Sequence, residues 1–290
     1  MHQPVLLKEV LEYLDPKPNQ NFVDATVGDG GHAGAILEKT MPNGKLVAID
    51  RDSESIIRAK SSLSKFGSRV LFINDSFGNL SEIIKNSNIR TISGILFDFG
   101  MSSSQLENSE RGFSFQKNEV LDMRFDIKHP IIAEDIINEY DAEELSEIFK
   151  KWGEEPYAFK IAVAIIEARR KSRIKTTKEL VRIIEKVARR HGKLHPATLI
   201  FQALRIEVNG ELKEIERALG VIPEILNKNG KAAFISFHSL EDRLIKNWSR
   251  NLDKQGIIEI LNQKPIIASA EELKANPRSR SAKLRAIKKI

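Results

Sequence analysis

The sequence predicts a doubly wound α/β domain interrupted by a helical insertion, and two observations support this prediction. First, strand-like runs that are apolar throughout alternate with helix-like segments over the first hundred residues. This pattern is typical of parallel strands that are covered on both faces. Second, no convincing strand occurs from about Ser104 to Asn209, and strand-like runs return afterwards. We therefore predict one discontinuous domain over residues 1–107 and 210–290 and an all-helical domain over residues 108–209.

The elements of the α/β part follow from apolar runs, caps and helical spacing. The early strands are predicted at Asn21–Ala25, Lys45–Ile49, Arg69–Ile73 and Ser93–Phe97, with helices at Ala33–Lys39 and Asn79–Lys85. Asp52 is a plausible N-cap of one more helix, whose apolar positions are Ile56, Ile57, Ala59 and Leu63. The later elements are a helix at Glu211–Leu226, a strand at Lys231–Ser236, a helix at Leu240–Ser249 capped by Ser239, and strands at Gly256–Leu261 and Ala282–Ile287.

The middle of the chain is predicted to form a loop followed by helices. Met101–Asp126 is loop-like. Helices are predicted at Ile131–Glu139, Ala142–Lys151, Tyr157–Arg170, Lys178–Arg190 and Pro196–Val208. Thr176 and Glu179 have the spacing of a capping box, which marks the start of the fourth of these helices.

The composition excludes several classes of protein. The 290 residues are 41% hydrophobic and 30% charged, which is typical of a globular chain with a buried core. The chain has no cysteine, which excludes disulfides, cysteine-type zinc sites and a cysteine nucleophile, and no metal site is predicted. No apolar run approaches the roughly 18–20 residues of a membrane span. We therefore expect a cytoplasmic protein.

The net charge of +6 is unevenly distributed. Lys274–Ile290 contains seven basic residues and no acid, and Arg169–Lys193 contains eleven basic and two acidic residues. Glu134–Glu155 contains nine acidic and two basic residues. Two basic patches predict a docking surface for nucleic acid, although solvated helix faces explain either run equally well. We expect the acidic run to lie away from the phosphate path.

A glycine-rich loop after the first strand predicts a nucleoside-cofactor site. The run Asp24–His32 reads DATVGDGGH, and glycines there allow the backbone to approach a ligand closely. Asp50 ends the second strand, where a carboxylate can accept both hydroxyls of an adenosine ribose. The pattern also fits a dinucleotide fingerprint. Asp24 and Asp29 flank the loop, which favours a cationic sulfonium over a diphosphate.

Four further motifs carry candidate functional residues, and each also has a structural explanation. Asp98 ends the fourth strand and is expected at the carboxyl edge of the sheet, as is His238 after the fifth strand. Arg111 and Phe113 can surround an unpaired base, but core packing explains Phe113 equally well. His195, Arg205 and Asn209 belong to an amphipathic helix and can instead cap it or face solvent. For His238, a role in helix capping or packing stays open beside a substrate contact.

Together the motifs resemble the bacterial 16S rRNA cytosine-N4 methyltransferase family (RsmH, formerly MraW). The matching runs occur in order along essentially the whole chain: HQPVLLKEVLEYL, DATVGDGGH, AIDRD, GILFDFGMSSSQL, ERGFSF, LDMRFD, HPATLIFQALRIEVN, ISFHSLEDR and NPRSRSAKLRA. The departures are local: Ser104 stands where the family usually has Pro, Phe125 where it usually has Met, and Pro156 where a basic residue is common.

The resemblance implies an S-adenosylmethionine-dependent enzyme that methylates the exocyclic N4 of one cytidine in the decoding region (P site) of 16S rRNA. It implies a Rossmann-like methyltransferase sheet with an inserted helical domain that recognises the substrate. The cofactor contacts that it implies are Gly30, Gly31, His32, Asp50, Phe77, Asp98 and Gln105. Phe77 follows the third strand, where an aromatic ring can pack against adenine.

The reaction requires a group that accepts hydrogen bonds from the N4 amino group as positive charge develops there. Our hypothesis assigns this role to Asp98, through its carboxylate or the adjacent backbone carbonyl, and the final proton acceptor stays open. The absence of cysteine agrees with an exocyclic target, because methylation at C5 normally needs a cysteine adduct. The candidate RNA contacts are Arg111, Phe113, Arg124, His195, Arg205, His238, Arg278 and Arg280.

The predicted partner is 16S rRNA or the small ribosomal subunit, with no membrane association. Free rRNA and the assembled 30S particle both stay open as substrate, and so does the choice between a monomer and a homodimer. An NAD-dependent oxidoreductase and a non-catalytic rRNA-binding assembly factor stay as alternative functions. We expect part of the basic tail to return as a strand beside the active-site sheet, with some of its arginines facing RNA.

Overall fold

The computed structural model of the chain describes residues 4–102, 105–106, 110–189 and 195–290. Its strands are β1 (Phe22–Asp24), β2 (Leu46–Asp50), β3 (Val70–Asn74), β4 (Ile92–Asp98), β5 (Leu226–Ser236), β6 (Ile258–Ile260) and β7 (Lys283–Lys289). Its helices include α1 (Leu7–Leu14), α2 (Gly31–Lys39), α3 (Ser53–Ser62), α4 (Leu80–Asn86), α5 (Ala133–Glu139), α6 (Ala142–Lys151), α7 (Ala158–Arg169), α8 (Thr177–Val187), α9 (Pro196–Asn209), α10 (Glu211–Ile225), α11 (Ser239–Lys254) and α12 (Ala270–Ala275). Short 3₁₀ turns occur at Ser64–Arg69, Phe77–Asn79 and Pro277–Ser281.

The strands form one mixed sheet in the order β3-β2-β1-β4-β5-β7-β6. β1 to β5 run parallel, and β7 pairs antiparallel with both β5 and β6. The strand order reverses between β1 and β4, and ligands of open α/β sheets bind at the carboxyl edge beside such a reversal. The predicted α/β fold class is confirmed, and so is the expectation that the basic tail returns as a strand.

The central strands β1, β2 and β4 are buried on both faces, which explains why they are almost entirely apolar. On one face Leu96 and Ala233 share a core with residues of α1, α2 and α3. On the other face the rings of Phe97 and Phe234 stack at 5.3 Å, and Trp248 of α11 meets Phe234 edge-on at 5.7 Å. Burying such large side chains supplies much of the stabilising free energy.

Tertiary contacts divide the chain into two compact units, Met1–Gly100 with Leu212–Ile290 and Met101–Glu211. The second unit contains α5 to α9 and, within residues 101–102, 105–106, 110–189 and 195–211, only an isolated bridge between Val120 and Thr176. Its core is formed by apolar side chains of these helices and of the preceding loop. The domain boundaries given in the sequence analysis stay a prediction.

Several sequence-based details are confirmed at the helix ends. Asp52 caps α3 by accepting a hydrogen bond from the amide of Glu54, and Thr176 forms the predicted capping box with Glu179. One cap prediction is wrong: the N-cap of α11 is His238 and not Ser239, because the imidazole Nδ1 accepts from the amide of Glu241.

Two further predictions are wrong, one about the burial of a side chain on α3 and one about where β5 begins. Ile57 is 67% exposed, because α3 presents a narrower apolar face to the sheet than its sequence suggests. β5 begins at Leu226 and not at Lys231, since Leu226 pairs with Ile92 before the register shifts towards Gly94. None of the helices in the described part of the chain combines the length and the hydropathy needed to span a bilayer.

Candidate active site

The loop between β1 and α2 turns tightly because two of its glycines adopt left-handed backbone angles. Gly28 has φ 52° and Gly30 has φ 86°. A Cβ on Gly30 would lie 2.7 Å from Ser62 Oγ and 3.0 Å from Leu63 Cγ. The site therefore requires glycine at position 30 both for its backbone angle and for space. Gly31 begins α2, so unpaired amides of the first turn face the loop.

Asp50 at the end of β2 holds the glycine loop in place. Its carboxylate accepts hydrogen bonds from the amides of Gly28 and Asp52, both at 2.9 Å. Burial raises the pKa of Asp50 to about 6, although these amides oppose the shift. Each carboxylate oxygen retains a second lone pair, so contact with a ribose is compatible with both hydrogen bonds.

A cluster of ionisable side chains, Asp24, His32 and Asp98, lies where β1, α2 and β4 meet. His32 Nδ1 is 3.7 Å from Asp98 Oδ2, and His32 Nε2 is 2.9 Å from the Val5 carbonyl oxygen. Thr26 connects the two strand ends, since the Asp98 amide donates to Thr26 Oγ1 at 2.7 Å and the Thr26 amide donates to Asp24 Oδ1 at 3.2 Å.

Burial makes each charged form in this cluster costly. It raises the pKa of Asp24 to about 7 and lowers the pKa of His32 to about 4. The pKa of Asp98 is raised well above its usual value by burial and by the carboxylates of Asp24 and Glu241. A quarter of the Asp98 side chain is exposed, but its Oδ1 is buried and accepts no hydrogen bond from any residue that the structure describes. The cluster is therefore short of positive charge.

This deficit fits a cationic cofactor better than a diphosphate. Asp29 lies in the same loop, but its carboxylate is bound by Arg58 at 2.8 Å. Of the two acids that flank the loop, Asp24 therefore has the stronger effect on ligand charge. It is 1% exposed, and its hydrogen bond within the described part of the chain comes from a neutral amide. A sulfonium or ammonium group would supply the missing charge, whereas a diphosphate would be repelled.

Phe77 lies in the short turn after β3 and is half-buried. Its ring meets Phe97 edge-on at 5.9 Å and Phe99 at 5.6 Å, which leaves part of the ring accessible. Ser76 caps this turn by accepting from the Gly78 amide and donates to the carboxylate of Glu214 on α10. Sequence reasoning missed Glu214, because no local pattern connects it to a turn 138 residues earlier.

Gln105 belongs to the second unit and is 5% exposed. Its Oε1 accepts from the Ser102 amide at 2.9 Å, and its own amide donates to Ser102 Oγ at 3.2 Å. These contacts connect Gln105 to Ser102. Contact of Gln105 with the cofactor stays a prediction.

Arg111, Phe113 and Arg124, the candidates for holding the target base, have extensive contacts within the helical unit. Arg111 donates to the carbonyls of Arg124 and Phe125, while Phe113 is 6% exposed and stacks on Phe125 at 5.5 Å. Arg124 binds Asp122 through Nε at 2.9 Å and Nη2 at 2.7 Å. These contacts explain all three residues without RNA, so their role in base binding stays a prediction.

His195 and Arg205 also have internal partners. His195 caps α9 through Nδ1 and lies 3.1 Å from Glu185 through Nε2. Arg205 makes a two-point ion pair with Glu211, at 2.7 and 2.9 Å. Asn209 holds the preceding loop by donating to the Met123 carbonyl and accepting from the Phe125 amide. Asn209 therefore has a structural role, since its side chain holds the backbone of the loop at Met123 and Phe125.

The remaining RNA candidates differ in exposure. His238 caps α11 and is 10% exposed, Arg278 is half-buried, and Arg280 is exposed. Glu241, which sequence reasoning missed, is fully buried and accepts from the Phe237 amide at 2.7 Å. The capping-box spacing of His238 and Glu241 is the signal that could have found it.

The two charged runs of the helical unit contact each other at Arg173. Its guanidinium binds Glu134 at 2.7 Å, Asp135 at 3.1 Å and Glu139 at 3.4 Å. Arg169 donates to two backbone carbonyls, those of Ile137 and Tyr140. At least these two members of the basic run Arg169–Lys193 have intramolecular roles; residues 190–193 of the run lie outside the described residues.

Comparison with known proteins identifies full-length relatives. The model of the MraW methylase family matches residues 1–290. A protein named ribosomal RNA small subunit methyltransferase H from Sulfurihydrogenibium sp. is 48% identical over 292 residues, covering 100% of this chain and 99% of the relative. Proteins of the same name from Persephonella marina and Clostridioides difficile are 47% and 40% identical, again over 100% of this chain and 99% of each relative.

Among solved structures, a crystal structure titled as a putative methyltransferase from Streptococcus mutans in complex with SAH superposes with a TM-score of 0.50. It is 12% identical and the match covers 100% of both chains. At that identity the likeness establishes the fold alone, which agrees with the strand order described above.

Proposed function

Because this chain belongs to the MraW methylase family, we propose that it transfers a methyl group from S-adenosylmethionine to the exocyclic N4 of a cytidine in the decoding region (P site) of 16S rRNA. The chain is a methyltransferase that acts on small-subunit rRNA and uses S-adenosylmethionine. One observation carries this conclusion: relatives with 40–48% identity over the full chain are named ribosomal RNA small subunit methyltransferase H.

The residues present at the carboxyl edge of the sheet fit S-adenosylmethionine. The Gly28–Gly31 backbone would approach the cofactor, Asp50 would accept the ribose hydroxyls, and Phe77 would pack against the adenine. The buried carboxyls of Asp24 and Asp98 favour a positively charged ligand. When bound, S-adenosylmethionine supplies an electrophilic methyl group on a positively charged sulfur.

We assign to Asp98 the role of accepting the proton that N4 loses. The N4 lone pair is delocalised into the cytosine ring, so N4 becomes a good nucleophile only as it loses a proton. The unpartnered Oδ1 of Asp98 can accept this proton as the nitrogen–carbon bond forms. The side chain must be ionised at that moment, and a cationic cofactor beside it would favour the ionised form.

Base recognition is proposed for the helical unit and phosphate contacts for exposed basic residues. The base must leave any stack to reach a reacting methyl group. In the tail, Arg280 is an arginine that is exposed, and we propose that it meets a phosphate. A cytoplasmic location and a homodimer are the companion proposals, the first because the small ribosomal subunit is the substrate.

The deciding experiment is methylation of small ribosomal subunits that lack the modification, with labelled S-adenosylmethionine and nucleoside mass spectrometry as readout. We expect N4-methylcytidine at one position with the wild-type chain and a loss of at least about a hundredfold in rate with Asp98→Asn. Free 16S rRNA and assembled 30S particles are compared as substrates in parallel. Absence of N4-methylcytidine from both substrates would contradict the proposed function.

A further inference from the structure

His32 has a fixed tautomer, and this determines what Asp98 faces. The carbonyl oxygen of Val5 can only accept a hydrogen bond, so the 2.9 Å contact requires a proton on His32 Nε2. In neutral His32 the other ring nitrogen, Nδ1, then carries a lone pair, and it lies 3.7 Å from Asp98 Oδ2. A carboxylate oxygen is repelled by that lone pair, whereas a protonated carboxyl is not.

Among the described residues of its own unit, the ionisable groups that act on the charge of Asp98 are acidic. Asp24 at the end of β1 and Glu241 in the first turn of α11 are both acidic and at most 1% exposed. Thr26 accepts from the Asp98 amide and is neutral. Asp50 adds a further acid beside Asp24, and Arg58, a cation that acts on Asp50, is bound to Asp29.

We propose that the cluster of Asp24, His32 and Asp98 holds one extra proton in the free protein and releases it when the cationic cofactor binds, so that the site selects S-adenosylmethionine over its uncharged-sulfur product. This inference rests on the proposed function. The O–H bond of one carboxyl, which the geometry assigns to Asp98, breaks, and the proton passes to the buffer. The carboxylate that remains compensates the charge of the sulfonium.

Over one cycle of methyl transfer, the cluster takes up as many protons as it releases. Asp98 is ionised once the cofactor is bound, it accepts the N4 proton as the nitrogen–carbon bond forms, and the carbon–sulfur bond breaks to leave a neutral sulfur. The cluster is then protonated again beside an uncharged product, which is the state it holds in the free protein. Product release therefore needs no further proton.

Isothermal titration of the full-length protein tests the proposal without any turnover. S-Adenosylmethionine and S-adenosylhomocysteine are titrated at pH 7.5 in phosphate and in imidazole buffer, which differ in ionisation enthalpy. Binding that releases a proton gives a heat that changes with the buffer. We expect release of about one proton with S-adenosylmethionine and close to none with S-adenosylhomocysteine.

Variants and pH identify the source of the proton. Asp98→Asn should abolish the buffer dependence, whereas Glu12→Gln, at an exposed acid of α1, should retain it. Between pH 5 and pH 6 the affinity of the wild type for S-adenosylmethionine should rise by up to about tenfold, and the affinity for S-adenosylhomocysteine should change much less.

The titrations distinguish a failure of the proton-release proposal from a failure of the proposed function. S-Adenosylmethionine that binds with the same heat in both buffers overturns the proton release. A buffer dependence that persists in Asp98→Asn overturns the assignment to Asp98. If S-adenosylmethionine does not bind at all, the proposed function fails, and the inference fails with it.

Discussion

Gly30 and Gly34 show how the backbone angle of a glycine decides whether it stabilises or destabilises the folded protein. Gly30 has φ 86° and no room for a Cβ, whereas Gly34 has ordinary helical angles and its nearest atom to an added Cβ is Leu63 Cδ2 at 3.4 Å. The two positions are four residues apart, so they form a matched pair. The conformational freedom of glycine is needed at Gly30 and is a cost at Gly34.

We predict opposite effects for alanine at these positions. Gly30→Ala should lower the free energy of unfolding by at least about 1–2 kcal/mol, since a left-handed angle costs that much for a residue with a Cβ. It should also weaken binding of S-adenosylmethionine. Gly34→Ala should be neutral or stabilising by up to about 1 kcal/mol. Urea unfolding and cofactor titration measure both; equal losses in the two variants would contradict the explanation.

The buried carboxyl of Asp24 predicts a pH-dependent stability. Its folded-state pKa of about 7 lies above the usual 3.8, so the folded protein binds more protons than the unfolded chain between these values. The free energy of unfolding contributed by Asp24 therefore falls as pH rises from about 4 to about 7. Without ligand the folded protein is therefore least stable above about pH 7, where a bound cation would restore stability.

Asp24→Asn should remove this loss while keeping the acceptor for the Thr26 amide. We expect the variant to exceed the wild type by about 2–4 kcal/mol in the free energy of unfolding at pH 8 and by much less at pH 4.5. Urea unfolding at both pH values measures the difference. Asp29→Asn is the control and should show no such gain. A deficit for Asp24→Asn at pH 8 would contradict the prediction.

Contacts between elements explain how the Phe77 turn is held. The turn follows β3, and its Ser76 cap is bound by Glu214 of α10. Glu214 also accepts a hydrogen bond from the guanidinium of Arg217 at 3.0 Å. Arg217 in turn donates a hydrogen bond to the side chain of Asn79, at the end of the same turn. One carboxylate therefore fixes both ends of the segment that carries Phe77. Glu214 is a positioning residue in this arrangement.

We predict that Glu214→Ala weakens cofactor binding with little effect on the chemical step. The dissociation constant for S-adenosylmethionine should rise about five- to tenfold, which corresponds to about 1 kcal/mol, while kcat at saturating cofactor is retained. Glu216→Ala, an exposed acid on the same helix, is the matched control and should bind like the wild type. An unchanged dissociation constant in Glu214→Ala would remove Glu214 from the site.

At the scale of the whole molecule, the charge runs are less independent than their sequence suggests. Arg173 binds three carboxylates of the acidic run, and in the tail Arg285 of β7 is bound by Asp242 of α11 at 2.6 Å. Lys289 donates to the Leu226 carbonyl at 2.6 Å. Part of the positive charge is thus used within each unit, and exposed Arg280 is a better candidate for a phosphate contact.

Binding to the small ribosomal subunit should weaken steeply with salt, because phosphate contacts release counterions. We predict that Arg280→Ala lowers the slope of log affinity against log salt by about one and weakens binding. Lys254→Ala, an exposed lysine outside the tail, should leave the slope unchanged. Filter binding over a salt series measures the slope; equal slopes for wild type and Arg280→Ala would exclude this contact.

The sequence by itself determined the features that depend on neighbours along the chain. Apolar runs with helices between them predicted the sheet, and Asp52 and Thr176 were recognised as caps because capping uses residues two or three positions apart. The DATVGDGGH run with Asp50 predicted the cofactor loop, since a tight turn at a strand end needs glycine. The motif order along the chain predicted the family.

The tertiary structure alone decided which charged residues have intramolecular partners. Arg124 and Arg205 carried the same sequence signal as an RNA-binding arginine, yet each is bound by an acid of its own unit. Glu214, 138 residues from Ser76, has no local signature. The physical reason is that a hydrogen bond or ion pair depends on distance in space, and folding brings together residues whose separation along the chain carries no information about that distance.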